Sequence, residues 1–401
     1  MKKKGASNIL RYICIVCVLI IGVLTIIGSG GTWEPPESSW MYQTVGIADF
    51  NKDGHQDIAG SRGYWSASSR QGDVSVLFQD SQKLGNFPFV SRIKIGGLSD
   101  CTEFDIGDLN GDGLEDMITH CTFWNQPSYN VSITYQDPQV TGEFLAIKNV
   151  NVGFFPYFLK IGDLNDDGFN DIVISGSSTS ILYQDSNSPG TYLPIFSLNI
   201  DSSSVDIGDI NGDSYLDLAL AGEGQIRLLF QDPSSPGNFL LPLSLTSDLR
   251  PYLIKLKDID NDGNLDLIVG NVQNFVSVFI QDPLAAGEFL QRDDYPLNRD
   301  VDDLAIGDLN NDGLEDIAVA NGYTGGDSNG SIAILFQDIS SIGNFLSPVF
   351  YPGIFQPTSI AIGDLNGDSF NDIVFADGGL AIRFQDPTNP GSFKKIIVVD
   401  D

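Results

Sequence analysis

The chain has 401 residues, of which 53 are Asp or Glu and 21 are Lys or Arg, so its formal net charge at pH 7 is -32. Nucleic acids carry charge of the same sign, which excludes them as partners. Hydrophobic residues make up 42% of the chain, enough to build a core, and this excludes intrinsic disorder. Two histidines leave little material for histidine-based catalysis, and 43 glycines with 19 prolines are more turn formers than a helical protein uses.

The N-terminal segment has the pattern of an export signal. Three lysines and Arg11 precede an apolar run, residues 12–27, which small residues follow. This run suits a signal peptide and is short for a membrane span of roughly 20 residues. We expect residues 1–31 to be a signal peptide or an uncleaved N-terminal membrane anchor, followed by a linker at 32–40 and a folded domain at 41–401. The protein is then secreted, periplasmic or at the cell surface, and meets a membrane only through an uncleaved N-terminal segment.

A nine-residue pattern, D-x-[ND]-x-D-[GS]-x-x-D, recurs throughout the rest of the chain. Its copies are about 52 residues apart, which is close to the repeat length of propeller blades. The seven copies begin at Asp49, Asp108, Asp163, Asp209, Asp258, Asp308 and Asp364.

Each copy lies between segments that have strand patterns. Before it, apolar residues alternate with small or polar ones, and after it comes a short apolar run that suits a strand buried on both faces. A third strand ends at a Gln-Asp dipeptide, and a Gly followed by an aromatic opens a fourth, at Phe87, Phe144, Tyr192, Phe239, Phe289, Phe345 and Phe393. Seven such units predict an all-β protein, a seven-bladed β-propeller of four-stranded antiparallel blades whose closed ring protects the sheet edges. Whether a blade borrows its outer strand from the neighbouring copy stays open.

These residues resemble a known family. The copies IGDLNGDGLED (106–116) and IGDLNNDGLED (306–316) are similar to the FG-GAP or VCBS repeats of bacterial exported proteins and of the integrin α-chain propeller. The resemblance covers residues 41 to 399, approximately. It implies a calcium-binding propeller with a role in adhesion or ligand binding.

The repeated loop also carries the donors that calcium prefers. Side-chain oxygens at positions one, three, five and nine of a tight loop converge on one point with a backbone carbonyl at position seven, and Gly at position six permits the sharp turn. A solvated acidic turn is the alternative. We expect up to seven structural Ca²⁺ ions, with no catalytic role, held by Asp49, Asn51, Asp53, Asp57, Asp108, Asn110, Asp112, Asp116, Asp163, Asn165, Asp167, Asp171, Asp209, Asn211, Asp213, Asp217, Asp258, Asp260, Asp262, Asp266, Asp308, Asn310, Asp312, Asp316, Asp364, Asn366, Asp368 and Asp372.

The seven loops are not identical. Ser214 and Ser369 replace the position-six Gly in copies four and seven, which predicts weaker binding in those two loops. Asp260 replaces Asn in copy five and adds a negative charge.

A partner is expected on the face opposite the calcium loops. The connections between second and third strands lie there, and they are long in copies one, two and six, which become near neighbours when the ring closes. They carry candidate ligand-binding aromatics for a carbohydrate or protein partner, namely Tyr64, Trp65, Phe123, Trp124, Tyr129 and Tyr323. Packing of these rings over the propeller rim is the alternative.

Two cysteines outside the leader form a predicted disulfide. Cys101 lies seven residues before the first acidic residue of copy two, and Cys121 lies five after the last. In a hairpin centred on that loop the two positions fall almost opposite each other, and an exported protein is a setting in which disulfides persist.

These patterns predict an exported, calcium-stabilised binding or adhesion module and not an enzyme. The chain has no HExxH motif and no recognisable Ser-His-Asp order. A carbohydrate-active hydrolase or lyase built on a propeller scaffold, and a structural surface-layer component, are the alternatives.

Overall fold

The computed structural model describes residues 39–65, 72–95, 100–122, 129–246, 250–322 and 330–399. In these ranges the chain forms seven antiparallel sheets, the blades, each made of four strands that are consecutive in the sequence. The all-β, seven-bladed propeller predicted from the repeats is confirmed. No helix in the described ranges is long and apolar enough to cross a membrane.

The strand bounds follow the repeat. Blades one to three contain β1 (Ser39–Ala48), β2 (Asp57–Trp65), β3 (Gly72–Phe78), β4 (Phe89–Ile95), β5 (Asp100–Gly107), β6 (Asp116–Thr122), β7 (Asn130–Thr134), β8 (Lys148–Asn151), β9 (Pro156–Gly162), β10 (Asp171–Gly176), β11 (Ser180–Leu182) and β12 (Phe196–Ser197). Blades four and five contain β13 (Ser204–Gly208), β14 (Asp217–Gly222), β15 (Gln225–Leu229), β16 (Leu243–Thr246), β17 (Pro251–Lys257), β18 (Asp266–Asn271), β19 (Phe275–Gln281) and β20 (Phe289–Pro296). Blades six and seven contain β21 (Asp303–Gly307), β22 (Asp316–Asn321), β23 (Ser331–Leu335), β24 (Val349–Pro352), β25 (Ser359–Gly363), β26 (Asp372–Asp377), β27 (Gly379–Arg383) and β28 (Ile397–Val399).

The hydrophobic core consists of seven apolar layers, one between each pair of neighbouring blades. Second strands are buried on both faces, as the continuous apolar runs predicted, because a blade in a closed ring has a neighbour on either side. The seventh layer joins blade seven to blade one: Val374 and Phe384 pack with Val45 and Ile58.

The ring closes without exchange of a strand. Every sheet is built from four consecutive strands, so no blade borrows its outer strand from another copy. Besides the apolar layer, hydrogen bonds join the first and last blades. Thr358 Oγ1 donates to the carbonyl of Gln43 at 2.8 Å, and the backbone N–H of Val45 donates to Ser359 Oγ at 3.3 Å.

The fourth strands begin later than the aromatic residues predicted. Only β20 starts at its aromatic, Phe289, whereas most of the others form a single bridge to the Gln of the Gln-Asp dipeptide before the regular strand starts. Four blades have a proline in the intervening segment, which removes a donor from the ladder, but β8 and β28 start equally late without one, so proline is not the common cause of the delay. These prolines are Pro88, Pro194, Pro242 and Pro348.

Blade one differs from the sequence expectation at both ends of its first hairpin. β1 starts at Ser39, inside the segment expected to be a linker, and pairs with β2 along its whole length, with one register shift between Tyr42 and Thr44. This pairing extends β2 to Trp65, so the backbone of Tyr64 and Trp65 lies in a strand and not in the following loop.

Candidate metal loops and the central channel

The nine-residue segments, which we call the acidic loops, join the first and second strands of every blade and are folded by their own side chains. In blade three, Asp163 Oδ1 accepts the N–H of Asp167 at 3.1 Å and its Oδ2 accepts that of Gly168 at 2.8 Å. The same pair of bonds recurs in the other six loops. Asn165, at position three, accepts a further bond from Asp167 at 3.0 Å. Oxygens of positions one and three therefore converge around the backbone of position five.

Two positions of each loop have left-handed backbone conformation. Position six has a φ between 68° and 92° in all seven loops, including Ser214 at 74° and Ser369 at 68°. The sharp turn at that position was predicted from its glycine. Position four is also left-handed in every loop, and Lys52 adopts a φ of 57° there in blade one. Both serine-containing loops have a glycine at position four, Gly212 and Gly367, so every loop has a glycine at one of its two left-handed positions.

The ninth residue of each loop is a buried anchor. In blade five, Asp266 is fully buried; its Oδ2 accepts the N–H of Ile259 and its Oδ1 that of Gln281, both at 2.8 Å. The other six blades repeat this pair of bonds. Burial raises the pKa of these carboxyls, to about 6 for Asp57, Asp217 and Asp266 and to about 7 for Asp116, Asp171, Asp316 and Asp372. Position nine thus ties the acidic loop to the third strand, whatever else it binds.

A second anchor, which was not predicted from the sequence, is the glutamine of the Gln-Asp dipeptide. Gln281 Nε2 donates to the carbonyl of Leu265 at 2.7 Å, and its Oε1 accepts the N–H of Gly287 at 2.7 Å. The equivalent glutamines make the same two bonds and are buried in all blades. Its recurrence in every copy was the available signal.

Acidic loops also touch the next blade. A Cβ built on Gly190, in the outer turn of blade three, would lie 3.3 Å from the Cβ of Asn110 in the loop of blade two. The side-chain amide of Asn170 donates to the carbonyl of Asp108 at 2.9 Å across the same boundary. An ion held in a loop would therefore stiffen the junction between blades as well as the hairpin.

The donor set of the loops fits a hard cation. In blade five, ligand oxygens of Asp258, Asp260 and Asp262 lie within 4.8 Å of one another. The six remaining loops have an Asn carbonyl oxygen at position three, and all donors are oxygens, which calcium prefers. Asp266 is outside this three-residue cluster, so positions one, three and five form the compact part of the predicted ligand set.

The structure joins Cys101 and Cys121 by a buried disulfide between directly paired positions of β5 and β6, as predicted from their spacing.

Of the predicted ligand-binding aromatics, Tyr129 precedes β7 with 42% of its surface exposed. For Tyr64 and Trp65 the structure describes only the backbone. The other three, Phe123, Trp124 and Tyr323, lie outside the described residues.

A channel runs through the centre of the ring and contains acidic and basic side chains that were not predicted as site residues from the sequence. First strands line this cavity of about 660 Å³. Burial raises the pKa of Glu103 well above its ordinary value, Asp303 adds to the rise, and Lys255 opposes it. Burial also raises the pKa of Asp105, against the effect of Lys160.

The FG-GAP-like repeat family matches the chain at residues 49–119, 163–220, 258–319 and 308–375. All seven acidic loops lie within these matches. No functionally curated protein matches the chain in sequence.

Solved structures share the fold at low sequence identity. BBS1N in complex with ARL6DN is 10% identical with a TM-score of 0.54, over 88% of this chain and 95% of that one. A putative 6-phosphogluconolactonase from Bacteroides uniformis is 13% identical with a TM-score of 0.54, over 91% and 98%. An Agrocybe aegerita lectin that recognises non-reducing terminal N-acetylglucosamine is 14% identical with a TM-score of 0.51, over 90% and 93%. These likenesses concern the propeller fold, which enzymes and binding proteins share.

Proposed function

This chain belongs to the FG-GAP-like repeat family, and from that premise we propose that it is a calcium-stabilised binding or adhesion module that acts outside the cytoplasm. The observation that carries the calcium assignment is the repeated loop: an oxygen of position one accepts the N–H of position five in all seven copies, and an oxygen of position three does so in six. Each ion offsets the repulsion between neighbouring carboxylates, so its role is structural.

Ion counting tests the calcium assignment. Dialysed protein is expected to hold up to seven Ca²⁺ per chain, and Asp258→Asn to lose about one of them. Asp282→Asn is the matched control, because this aspartate lies in an outer turn of the same blade and its side chain accepts the N–H of Leu284. Equal metal content in the two variants would contradict the assignment, as would a wild-type protein that binds no calcium.

We place the partner on the face opposite the acidic loops. Tyr129 supports this placement because it is exposed beside β7, and β2 brings the backbone of Trp65 to the same end of the neighbouring blade. Long aromatic loops on a rigid scaffold are a common recognition surface, for carbohydrate or protein alike.

A binding screen against glycans and surface proteins tests this placement. Residues 32–401 in millimolar calcium are compared with the triple variant Trp65→Ala, Trp124→Ala, Tyr323→Ala. A ligand that binds the first and not the second, with both melting at the same temperature, supports the proposed face. A ligand that binds both equally would place recognition elsewhere.

Export and the absence of catalysis remain parts of this proposal. The apolar N-terminal run supports export, and sequencing the N-terminus of protein recovered outside the cytoplasm tests whether residues 1–31 are removed. Incubating each glycan that binds with the protein, and measuring its chain length, distinguishes a binding module from a hydrolase or lyase.

A further inference from the structure

The central channel carries a site that the proposed calcium and partner-binding roles do not use. We propose that it binds an organic ammonium group, the protonated amine of a small molecule, between Glu103 and Asp303. This site goes beyond the proposed function, since it lies in the channel and not on the outer loops.

The two carboxylates occupy equivalent positions on distant blades. Glu103 in β5 lies five residues before Asp108, and Asp303 in β21 lies five residues before Asp308. Because blades two and six are three apart in a ring of seven, the two acids line different sides of the channel at the same level. They are close enough for Asp303 to contribute to the electrostatics of Glu103.

Glu103 is the acid that lacks a partner. The described residues offer it no hydrogen bond and no ion pair, although it lines a cavity. By contrast, Asp303 Oδ2 accepts Ser359 Oγ–H at 2.8 Å and the N–H of Ile360 at 3.0 Å. Asp105 likewise accepts the N–H of Ile161 at 2.9 Å. Burying an unpaired acid inside the ring lowers the stability of the fold unless a ligand supplies hydrogen-bond donors or positive charge.

The lysines of the channel leave a negative excess. Lys160 pairs with Asp206 at 3.4 Å, and Lys257 pairs with Glu315 at 2.8 Å. This leaves Lys255, whose Nζ lies 5.2 Å from the ring centroid of Phe158 and beyond ion-pair distance from every described carboxylate. Among the described lysines of the channel, Lys255 alone has no ion pair, and it faces several acids. This excess of negative charge attracts a positive ligand.

The spacing of the acids favours an amine over a metal ion. In the part of the chain that the structure describes, three acidic ligand atoms come within 4.8 Å of one another only at Asp258, Asp260 and Asp262. The described channel acids thus do not form a three-carboxylate cluster of the kind that holds a metal ion. An ammonium group presents N–H donors to separate carboxylates, and Tyr157, Phe158 and Tyr252 supply walls for its carbon skeleton. The volume of about 660 Å³ is that of a small-molecule site.

The test compares cyclohexylamine with cyclohexanol, its neutral counterpart, by titration calorimetry on the protein in millimolar calcium and physiological salt. A singly charged amine limits diffuse binding to the acidic surface. We expect the amine to bind and the alcohol to bind at least about tenfold more weakly, because only the amine gains charge-assisted bonds.

Three channel variants and one control sharpen the result. Glu103→Gln and Asp303→Asn should each weaken amine binding about tenfold, whereas Lys255→Met should strengthen it by removing the competing cation. Glu143→Gln, the same chemical change on an exposed turn of blade two, should leave binding unchanged. Equal binding of amine and alcohol would overturn the proposal. So would equal binding by the Glu103 and Glu143 variants, or weaker binding by Lys255→Met. Since Lys255→Met is expected to gain affinity, general misfolding cannot imitate the full pattern.

Discussion

Replacing the two serines at position six of the acidic loops by glycine should stabilise the propeller. Ser214 and Ser369 are held at φ values of 74° and 68°, where a side chain clashes with its own backbone and glycine does not. The left-handed region costs a non-glycine residue about 1–2 kcal/mol, and the extra flexibility that glycine gives the unfolded chain offsets about 0.4–1 kcal/mol of that, which leaves about 1 kcal/mol per site.

The size of the effect follows from the chain length. An unfolding entropy of about 2.1 cal/mol/K per residue over the roughly 335 described residues makes 1 kcal/mol worth about 1 °C in the melting temperature. The sites lie in blades four and seven and share no partners, so their effects should add. We expect Ser214→Gly combined with Ser369→Gly to raise the melting temperature by about 2 °C in saturating calcium.

The reciprocal change provides the control. Gly168 has a φ of 88°, and a Cβ added there meets no heavy atom within 4 Å, so Gly168→Ser tests backbone conformation without a packing change. It should lower stability by about 1 kcal/mol. A melting temperature that moves in neither variant, measured by scanning calorimetry, would refute the argument. The same reasoning predicts weaker calcium binding in the two serine loops, and a calorimetric titration with seven equivalent sites would contradict it.

Four further outcomes are expected. Chelation of calcium should lower the melting temperature reversibly, and magnesium should not restore it, because its near-octahedral preference suits these crowded carboxylates poorly; an unchanged melting curve would remove calcium from the fold. Gln281→Ala should lower the free energy of unfolding by about 2–5 kcal/mol, since a buried N–H and a partly buried carbonyl lose their partner, and chemical denaturation measures the loss. Removing the disulfide with Cys101→Ala and Cys121→Ala should cost about 3 kcal/mol for the 20-residue separation; reductant should destabilise the wild type and leave this variant unaffected. Burial raises the pKa of Glu103 in the folded state, so the folded protein binds more protons and its stability falls as pH rises above about 4.5. Glu103→Gln should therefore be more stable than wild type at neutral pH, with the difference closing in acid, and parallel denaturation curves at every pH would contradict this.

The repeat pattern by itself was enough to predict the seven blades, their four strands and the position of the acidic loops. Contacts within one hairpin depend on spacing along the chain, so a cysteine on each side of the loop in copy two was sufficient to predict a bridge between Cys101 and Cys121. The same local logic predicted a sharp turn at position six, where Gly168 and Ser214 both have positive φ. Local spacing failed at the fourth strands, most of which form an isolated bridge at the aromatic and begin regular pairing only later.

Only the tertiary structure decided how the blades meet. Gln281 bonds to an acidic loop and to an outer turn at once. Which backbone groups need such a side-chain partner depends on how three strands pack, and a sequence pattern does not show that. Closure without strand exchange likewise depends on the fit of blade seven against blade one. Glu103 and Asp303 are about 200 residues apart, and they line one channel because the ring brings first strands of distant blades around a common axis. Long-range geometry of this kind depends on the angle between neighbouring sheets, which is a property of the packed ring and not of any single repeat.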